Sequence, residues 1–420
     1  MRSGVLIVGA GQAGSQVAIS LREAGYRGRV TVVGDEPYLP YHRPPLSKAF
    51  LKGDASPDSL ALRGDAAYRR HDVDVLLGAR VVDVDAMTQT AHLDGGQQIG
   101  YEWLVLAQGG VPRGLSVPFL DADTGAEVNG AETAGVHYLR QAEDAIRLRE
   151  KLAQANSVVV VGGGFIGLEV AAAATELGAG VTVLEMADRL MARVVHPAVA
   201  EFYRGAHSLR KVDILTDTRL DVVLVSDGHV CGVRVGSGRA IFTDLVVVGV
   251  GLIADTDLAA RIGLEVDRGV VIDENGRTSD PRVFAAGDCA TRRLPSGATE
   301  RIESIHNAIE QAKVVAAAIA NAPAPRPRAP WFWSDQFDLK LQIAGWTGDD
   351  TDIEIDGSLD EEKFVITHRR HGRLVGITAV SSPREFLRGR TELDRLAHSA
   401  AEPVVEDGGE SASGVAVSVV

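Results

Sequence analysis

Two glycine-rich turns are the first features of the sequence whose residue types and spacing could do chemistry. Each has three glycines at the spacing that cradles the pyrophosphate of a dinucleotide. The first glycine makes a tight turn, the second lets the backbone approach the phosphates, and the third lets a helix pack against a strand. These glycines are Gly9, Gly11 and Gly14 in the first turn and Gly162, Gly164 and Gly167 in the second. The spacing therefore predicts two nucleotide sites.

Acidic residues follow each turn at the place where a ribose would lie. Asp35 and Glu36 are the candidates after the first turn, and Glu185 is the candidate after the second. A carboxylate there accepts hydrogen bonds from ribose hydroxyls and repels a 2′-phosphate. Because no arginine directly follows Glu185, the sequence favours NADH over NADPH, although Arg189 could weaken this preference.

Strands and helices must position these turns, and the apolar spacing predicts them on both sides of each turn. The predicted elements are strand 5–8, helix 15–24 and strand 29–33 around the first turn, and strand 158–161, helix 168–177 and strand 181–184 around the second. The sequence therefore predicts two copies of one nucleotide-binding unit.

A third segment adds another carboxylate to this pattern. Residues 280–288 are predicted to form a strand that ends in a Gly-Asp turn, where Asp288 could accept a hydrogen bond from a ribityl hydroxyl. A long helix is predicted over 304–320, and its amino end could face phosphates. Together with two dinucleotide-binding units, this segment indicates one flavin site and one nicotinamide site.

Composition excludes several other classes of protein. The chain has 420 residues, of which 45% are hydrophobic and 24% charged, as in an ordinary globular protein of two or three domains. A net charge of −14 disfavours nucleic-acid binding. The two cysteines, Cys231 and Cys289, make neither a disulfide framework nor a Cys-ligated metal or iron–sulfur site, so we expect no metal.

Targeting signals are not expected either. The amino-terminal residues are predicted to form a strand that leads into a glycine turn, which is unlike a signal peptide. No run of 18 apolar residues is present, so we expect no membrane span. The prediction is a cytoplasmic protein that binds neither nucleic acid nor membrane.

Longer motifs carry a resemblance to a known family. Residues 43–48 read Arg-Pro-Pro-Leu-Ser-Lys and residues 331–336 read Trp-Phe-Trp-Ser-Asp-Gln, and both are far more specific than a glycine turn. With the glycine turns and the segments 284–289 and 301–311, they make the chain resemble the FAD-dependent NADH:ferredoxin reductases of bacterial oxygenase systems, the putidaredoxin and rhodocoxin reductase group. The similarity runs to about Arg388.

The resemblance implies tightly bound FAD, hydride transfer from NADH, and single-electron transfer to a 2Fe-2S ferredoxin that serves a monooxygenase or dioxygenase. The residues it implies for FAD are Gly9, Gly11, Gly14, Asp35 or Glu36, Arg43, Lys48, Asp288, Ile305, His306 and Trp333. The residues it implies for NADH are Gly162, Gly164, Ile166, Gly167 and Glu185. The ferredoxin would be a transient partner, and the reductase a monomer or a weak dimer.

The resemblance also implies that Lys48 and Glu169 are catalytic residues near the reactive edge of the flavin. A cation there stabilises negative charge on the ring as it is reduced, and a carboxylate fixes the cation in place. Trp333 is open to two interpretations. Its ring could lie beside the flavin and shape the ferredoxin-docking face, or it could pack the third domain onto the first.

Three departures from the family pattern stand out. Gln108 stands where the family usually has threonine, and His306 stands where glutamine is common. Residues 115–133 are longer and more polar than the family's short connection. These departures leave the flavin affinity, the redox potential and the identity of the acceptor open.

Two alternatives remain. The same fold could serve another acceptor, such as rubredoxin, a quinone or oxygen, although oxidases, peroxidases and disulfide reductases of this fold use first-domain cysteines and none precedes Cys231. The second alternative is a redox sensor that holds FAD and NADH without turnover.

The predicted fold class is α/β, with two Rossmann-like dinucleotide-binding domains, as in glutathione reductase, and a small carboxyl-terminal α+β domain. Four prolines within 321–330 mark a linker. The predicted domains are a discontinuous FAD-binding domain at 1–115 and 245–322, an NADH-binding domain at 116–244, a carboxyl-terminal domain at 331–397 and a disordered tail at 398–420.

Overall fold

The computed structural model describes residues 4–56, 58–236 and 238–401. The first domain is built on a mostly parallel sheet. Its strands are mostly continuous apolar runs, as is typical of parallel strands that are covered on both faces. Its parallel strands lie in the order Asp74–Leu76, Val30–Val33, Gly4–Val8, Gln98–Leu106 and Val283–Ala285. Thr90–Leu93 and Val81–Asp85 continue the sheet as antiparallel strands.

Two helices pack together on one face of this sheet. Gln12–Glu23 begins directly after the first glycine turn and shares one core with Ile305–Ala320, in which Val17, Leu21 and Val315 are fully buried. The other elements of this part of the chain are the helices Ala49–Lys52, Asp65–Arg70 and Asp257–Arg261, the 3₁₀ helices Pro44–Ser47 and Asp58–Leu60, and the strands Gly110–Pro112, Leu252–Ala254, Val270–Ile272, Ala290–Arg293 and Thr299–Glu300.

The second domain repeats the strand–turn–helix–strand unit. Its parallel strands lie in the order Val212–Leu215, Gly180–Leu184, Ser157–Val161, Leu245–Val248 and Val136–Tyr138. Its helices are Ala142–Leu152, Phe165–Glu176 and Pro197–Leu209, with a 3₁₀ helix at Gly130–Glu132. A smaller sheet of Ala240–Phe242, His229–Val235, Leu220–Ser226 and Phe119–Asp121 packs against the main one.

The domain boundary predicted at residue 245 is wrong by one strand. Leu245–Val248 pairs in parallel with Ser157–Val161, so it belongs to the sheet of the second domain. The chain returns to the first domain through Leu252–Ala254, which pairs antiparallel with Gly110–Pro112, where it leaves. The two crossings lie side by side, and neither segment alone carries a signal for this pairing.

The carboxyl-terminal domain is an antiparallel sheet covered by a helix. Its strands lie in the order Trp331–Gln336, Leu339–Gly345, Arg373–Val380, Lys363–Arg370 and Asp352–Ser358. The helix Pro383–Ala401 runs four residues into the tail predicted from His398, because Phe386 and Leu393 anchor it to the sheet. The rest of the predicted tail lies outside the described residues.

A shared hydrophobic core holds the three domains together. It contains Leu46 and Phe50 from the first domain, Tyr203 from the second, and Leu341 and Phe364 from the third. This core fixes the segment that carries Lys48 against the other two domains. The predicted α/β fold class, with two dinucleotide-binding domains and a small third domain, is confirmed. Among the described residues, no helix combines the length and the apolar character needed to span a membrane.

Candidate active site

A cavity of about 1320 Å³ runs between the two glycine turns. It lies beyond the carboxyl ends of the parallel strands, where open α/β sheets bind their ligands. Pockets for a single small ligand usually have roughly 300–1,000 Å³. The cavity is therefore large enough for two ligands to meet within it.

The first glycine turn fits the pyrophosphate of a dinucleotide. Gly9 has φ of +114°, and a Cβ on Gly14 would lie 1.9 Å from the carbonyl oxygen of Gly9. Gly9 therefore requires glycine for its backbone conformation, and Gly14 requires glycine for close packing. Gly11 has open space before it and begins its helix without a side-chain cap, so the first N–H groups of the helix are available to phosphates.

The second turn has almost the same geometry. Gly162 has φ of +109°, a Cβ on Gly167 would lie 2.0 Å from the carbonyl oxygen of Gly162, and Gly164 again faces open space. The helix Phe165–Glu176 also begins without a side-chain cap. The backbone geometry of the two turns therefore fits two bound dinucleotides, one at each turn.

The acids of the first unit differ in their partners. Glu36 accepts hydrogen bonds from Arg43 at 2.7 Å and from the hydroxyl of Tyr41 at 2.6 Å. Burial raises the pKa of Tyr41, which keeps its proton as a donor to Glu36. Asp35 instead pairs with the exposed Arg80 at 2.8 Å. All of these side chains line the cavity.

The acid of the second unit is held by its own turn. Glu185 accepts hydrogen bonds from the backbone N–H of Gly163 at 2.7 Å and of Ala187 at 2.8 Å. Arg189 is directed away, because it pairs with Asp349 at 3.2 Å. Arg219, which the sequence reasoning missed, also lines the cavity, and its Nε donates to Asp221 at 2.9 Å.

Lys48 and Glu169 form an ion pair in the cavity wall. The Nζ of Lys48 lies 2.8 Å from Oε2 of Glu169, and both side chains are largely buried. Oε2 also accepts from the hydroxyl of Ser47, and Oε1 accepts from the hydroxyl of Ser334 at 2.5 Å. The pair spans the first and second domains, and the Ser334 bond adds the third.

The remaining predicted residues divide into two groups. Ile166, Ile305 and Trp333 line the cavity, and the Trp333 ring also stacks on Trp331 with centroids 5.3 Å apart. Trp333 therefore lies in the cavity wall and packs on a neighbour in its own domain, and its role beside the flavin stays a prediction. The ring of His306 lies toward Trp331, with the two ring centroids 6.3 Å apart, and a cofactor contact at His306 stays a prediction.

Sequence profiles identify both parts of the chain. The profile of the pyridine nucleotide-disulphide oxidoreductases matches residues 3–312, and a profile described as reductase C-terminal matches residues 331–408. The chain belongs to the pyridine nucleotide-disulphide oxidoreductase family. It is an FAD- and NAD(P)H-dependent oxidoreductase, consistent with the two turns.

Relatives within this family extend over nearly the whole chain. Rhodocoxin reductase of Rhodococcus erythropolis is 42% identical over 388 residues, covering 92% of this chain and 88% of that protein. Rubredoxin-NAD(+) reductase of Pseudomonas putida is 38% identical over 381 residues, covering 90% and 96%. The crystal structure of the covalent putidaredoxin reductase–putidaredoxin complex matches with a TM-score of 0.86 at 38% identity, covering 94% and 96%.

In this oxidoreductase, an acid that the sequence reasoning missed lies near Asp288. Glu303 lines the cavity beside Arg301, at 2.6 Å, and Arg301 also donates to the carbonyl oxygen of Asp288. Burial raises the pKa of Glu303 to about 7. The signal was its place in the segment 301–311, next to the cap of the long helix.

Asp288 itself is paired across the molecule. Its carboxylate accepts from Arg140 at 3.1 Å, and the Nε of Arg140 donates to the carbonyl oxygen of Gly110. Arg140 had no sequence signal, since it lies far from Asp288 along the chain. The predicted carboxylate for a ribityl hydroxyl therefore lies in the cavity wall, with a guanidinium beside it.

Cys289 is not placed for redox chemistry. Cys289 is fully buried and donates to backbone carbonyls, and burial raises its pKa to about 11.

Two glutamines also lie in the cavity wall. Gln108 lines the cavity where the family usually has threonine. The buried Oε1 of Gln12, which also lines the cavity, has no hydrogen-bond partner in the part of the chain that the structure describes, so a donor from a bound dinucleotide would satisfy it.

Proposed function

We propose that this oxidoreductase takes hydride from NADH onto FAD and passes single electrons to a small 2Fe-2S ferredoxin that serves a monooxygenase or dioxygenase. The observation that carries the proposal is the Lys48–Glu169 pair in the wall of one cavity shared by both glycine turns. When bound, FAD supplies the redox chemistry, since it accepts electrons in pairs from NADH and releases them singly.

The side chains of the first domain would hold FAD. The turn at Gly9–Gly14 would take the pyrophosphate, Asp35 or Glu36 the ribose, and Asp288 the ribityl chain. The cluster of Arg43, Glu36 and Tyr41 would fix the loop over the cofactor. Lys48 would stabilise negative charge at the reactive edge, and Glu169 would hold its ammonium there.

The second domain would hold NADH. The turn at Gly162–Gly167 would take the pyrophosphate, Ile166 would contact the dinucleotide, and Glu185 would accept hydrogen bonds from the ribose. A carboxylate at Glu185 disfavours the 2′-phosphate of NADPH. Arg219 also lines the cavity, but its pairing with Asp221 offsets its charge, so a preference for NADH is expected.

Anaerobic stopped-flow absorbance tests the proposal. Loss of the oxidised flavin bands on mixing with NADH, faster than with NADPH, is the expected result. A yellow protein that neither nucleotide reduces would contradict the reductase and support a redox sensor. Steady turnover with ferricyanide is a second expected result, because it separates an enzyme from a non-turnover flavoprotein.

The acceptor is the part of the proposal that competes most closely with an alternative. The ferredoxin is favoured by the complex of putidaredoxin reductase with putidaredoxin, which matches 94% of this chain. The similarity to a rubredoxin-NAD(+) reductase, at 38% identity, favours rubredoxin as the acceptor instead. Reduction of a 2Fe-2S ferredoxin at least tenfold faster than of rubredoxin, at equal concentration, would decide for the ferredoxin. A cytoplasmic location and a monomer or weak dimer stay predictions.

A further inference from the structure

A row of buried polar side chains leads from Glu169 into the third domain. Oε1 of Glu169 lies 2.5 Å from the hydroxyl of Ser334, whose oxygen lies 3.2 Å from Nε2 of Gln336. Oε1 of Gln336 lies 2.8 Å from Nε2 of His207. Ser334, Gln336 and His207 are each 0% exposed. Nothing in the proposed reaction has yet used these three side chains.

The direction of the hydrogen bonds follows from His207. Burial lowers the pKa of His207 to about 4, so the ring is neutral near pH 7 and carries one N–H. Its Nδ1 has no partner among the described residues, whereas Nε2 faces the carbonyl oxygen of Gln336, so the proton is on Nε2. The amide nitrogen of Gln336 must then face Ser334 and donate to it.

Ser334 has a single hydroxyl proton, and this arrangement leaves one acceptor for it. Because its oxygen accepts from Gln336, its proton is free to donate to Oε1 of Glu169. The whole row therefore delivers a donor to the carboxylate oxygen that Lys48 does not hold. Oε2 is occupied by Ser47 and Lys48.

From this geometry we infer that Ser334, oriented by Gln336 and His207, is a positioning residue for the Glu169–Lys48 pair. The inference rests on the proposed function, because it concerns how that pair acts on the flavin. Without the hydroxyl, Oε1 of a carboxylate that is 3% exposed loses its donor, and the ammonium of Lys48, 2.8 Å from Oε2, is a charged and mobile donor beside it. Lys48 is then drawn toward Glu169 and away from the cavity.

The test compares Ser334→Ala, Glu169→Gln and the double variant in the flavin-loaded protein. We expect Ser334→Ala to slow the reduction of the flavin by NADH roughly tenfold, with the Kd for NADH unchanged. In the Glu169→Gln background, Ser334→Ala should cause no further slowing, because Ser334 acts through the carboxylate. Ser334→Thr, which keeps the hydroxyl, should restore the rate.

Ser382→Ala is the matched control. Ser382 is also a buried serine of the third domain, but it donates to the carbonyl oxygen of Val380 and does not line the cavity. Its replacement should leave the rate of flavin reduction unchanged. An equal slowing by Ser334→Ala with and without Glu169 would overturn the inference, since it would show a packing role.

The flavin reduction potential gives a readout that does not depend on NADH. Measured by dye equilibration with a chemical reductant, it should become more negative in Ser334→Ala and stay unshifted by that change in the Glu169→Gln background. If wild-type protein is not reduced by NADH, the proposed function fails while this potential still tests Ser334. An unchanged potential in Ser334→Ala would overturn the positioning role.

Discussion

The two glycine turns have almost the same backbone geometry, but the acidic residue that follows each turn is held in a different way. In the first unit, Glu36 is held by the side chains of Arg43 and Tyr41, and Arg43 donates as well to the carbonyl oxygen of Arg140. In the second unit, Glu185 rests on backbone N–H groups of its own loop. The acid of the first site is thus held by side chains, one of which also reaches the Arg140 segment, and the acid of the second by the backbone of its own turn.

This difference suits two ligands with different residence times. Opening the first site requires several charge-assisted hydrogen bonds to break, so a bound dinucleotide is expected to stay. Opening the second requires Glu185 to exchange an N–H for a ribose hydroxyl, which costs little because a hydrogen bond is replaced by another. The first arrangement suits retained FAD, and the second suits NADH that binds and leaves at each turnover.

The largest expected effect comes from filling the last glycine of each turn. Gly14→Ala places a Cβ against the carbonyl oxygen of Gly9, so we expect purified protein with little bound flavin. Gly167→Ala should keep its flavin but raise the KM for NADH roughly 10- to 100-fold. The flavin-to-protein absorbance ratio and steady-state kinetics measure the two effects.

Gly205→Ala is the control for both, because Gly205 lies in a helix with open space around it. It should change neither flavin content nor KM. Equal loss of flavin from Gly14→Ala and Gly167→Ala would contradict the division of the two turns between the cofactors.

The next effect concerns the pair that joins the two sites. Lys48→Met removes the cation beside the cavity, and we expect flavin reduction by NADH to slow about 100-fold with little change in NADH binding. Lys52→Met is a matched control, since Lys52 pairs with Glu176 at 3.2 Å in a half-exposed setting. Stopped-flow absorbance should show Lys52→Met within twofold of wild type, and an equal slowing in both would contradict the role of Lys48.

Sequence reasoning predicted what is local and missed what is assembled from distant segments. The strand, the turn, the helix and the acid lie within one stretch of chain, so their spacing predicts them twice. The pairing of Lys48 with Glu169 came from family resemblance, since the two residues lie in different domains. The partners of that pair could not be predicted, because Ser334 reaches Glu169 only after the third domain packs on the second.

The misplaced domain boundary has the same physical origin. Leu245–Val248 reads as a strand of either sheet, and only its pairing with Ser157–Val161 decides between them. His306 lies on the predicted helix, but a helix has several faces, and its ring packs toward Trp331. Position along the chain fixed the elements, while tertiary packing decided which side chains reach the cavity.

A smaller effect should appear in the pH dependence of stability, near the first site. The pKa of Glu303 is raised by burial from 4.5 to about 7, so the folded protein keeps a proton that the unfolded chain has lost. Stability should therefore fall as pH rises from 4.5 to about 7, at about 1 kcal/mol per pH unit from this group. Glu303→Gln has no such proton to lose.

Urea unfolding of wild type and Glu303→Gln at several pH values measures the difference. The stability of Glu303→Gln relative to wild type should increase from pH 4.5 to about 7 and then level off. A difference that is constant across this range would show that Glu303 is ionised in the folded protein at all of these pH values.

The smallest expected effect tests the acid of the second turn. Glu185→Gln removes the negative charge beside the ribose site, and the NADH to NADPH ratio of kcat/KM should fall roughly five- to tenfold. Flavin content should not change, because Glu185 is bonded to its own loop and not to the first domain. Asp188→Asn, the same charge change at a nearby side chain outside the cavity lining, should leave the ratio alone. If Glu185→Gln also releases flavin, the two sites are not independently closed, and the contrast between side-chain and backbone closure fails.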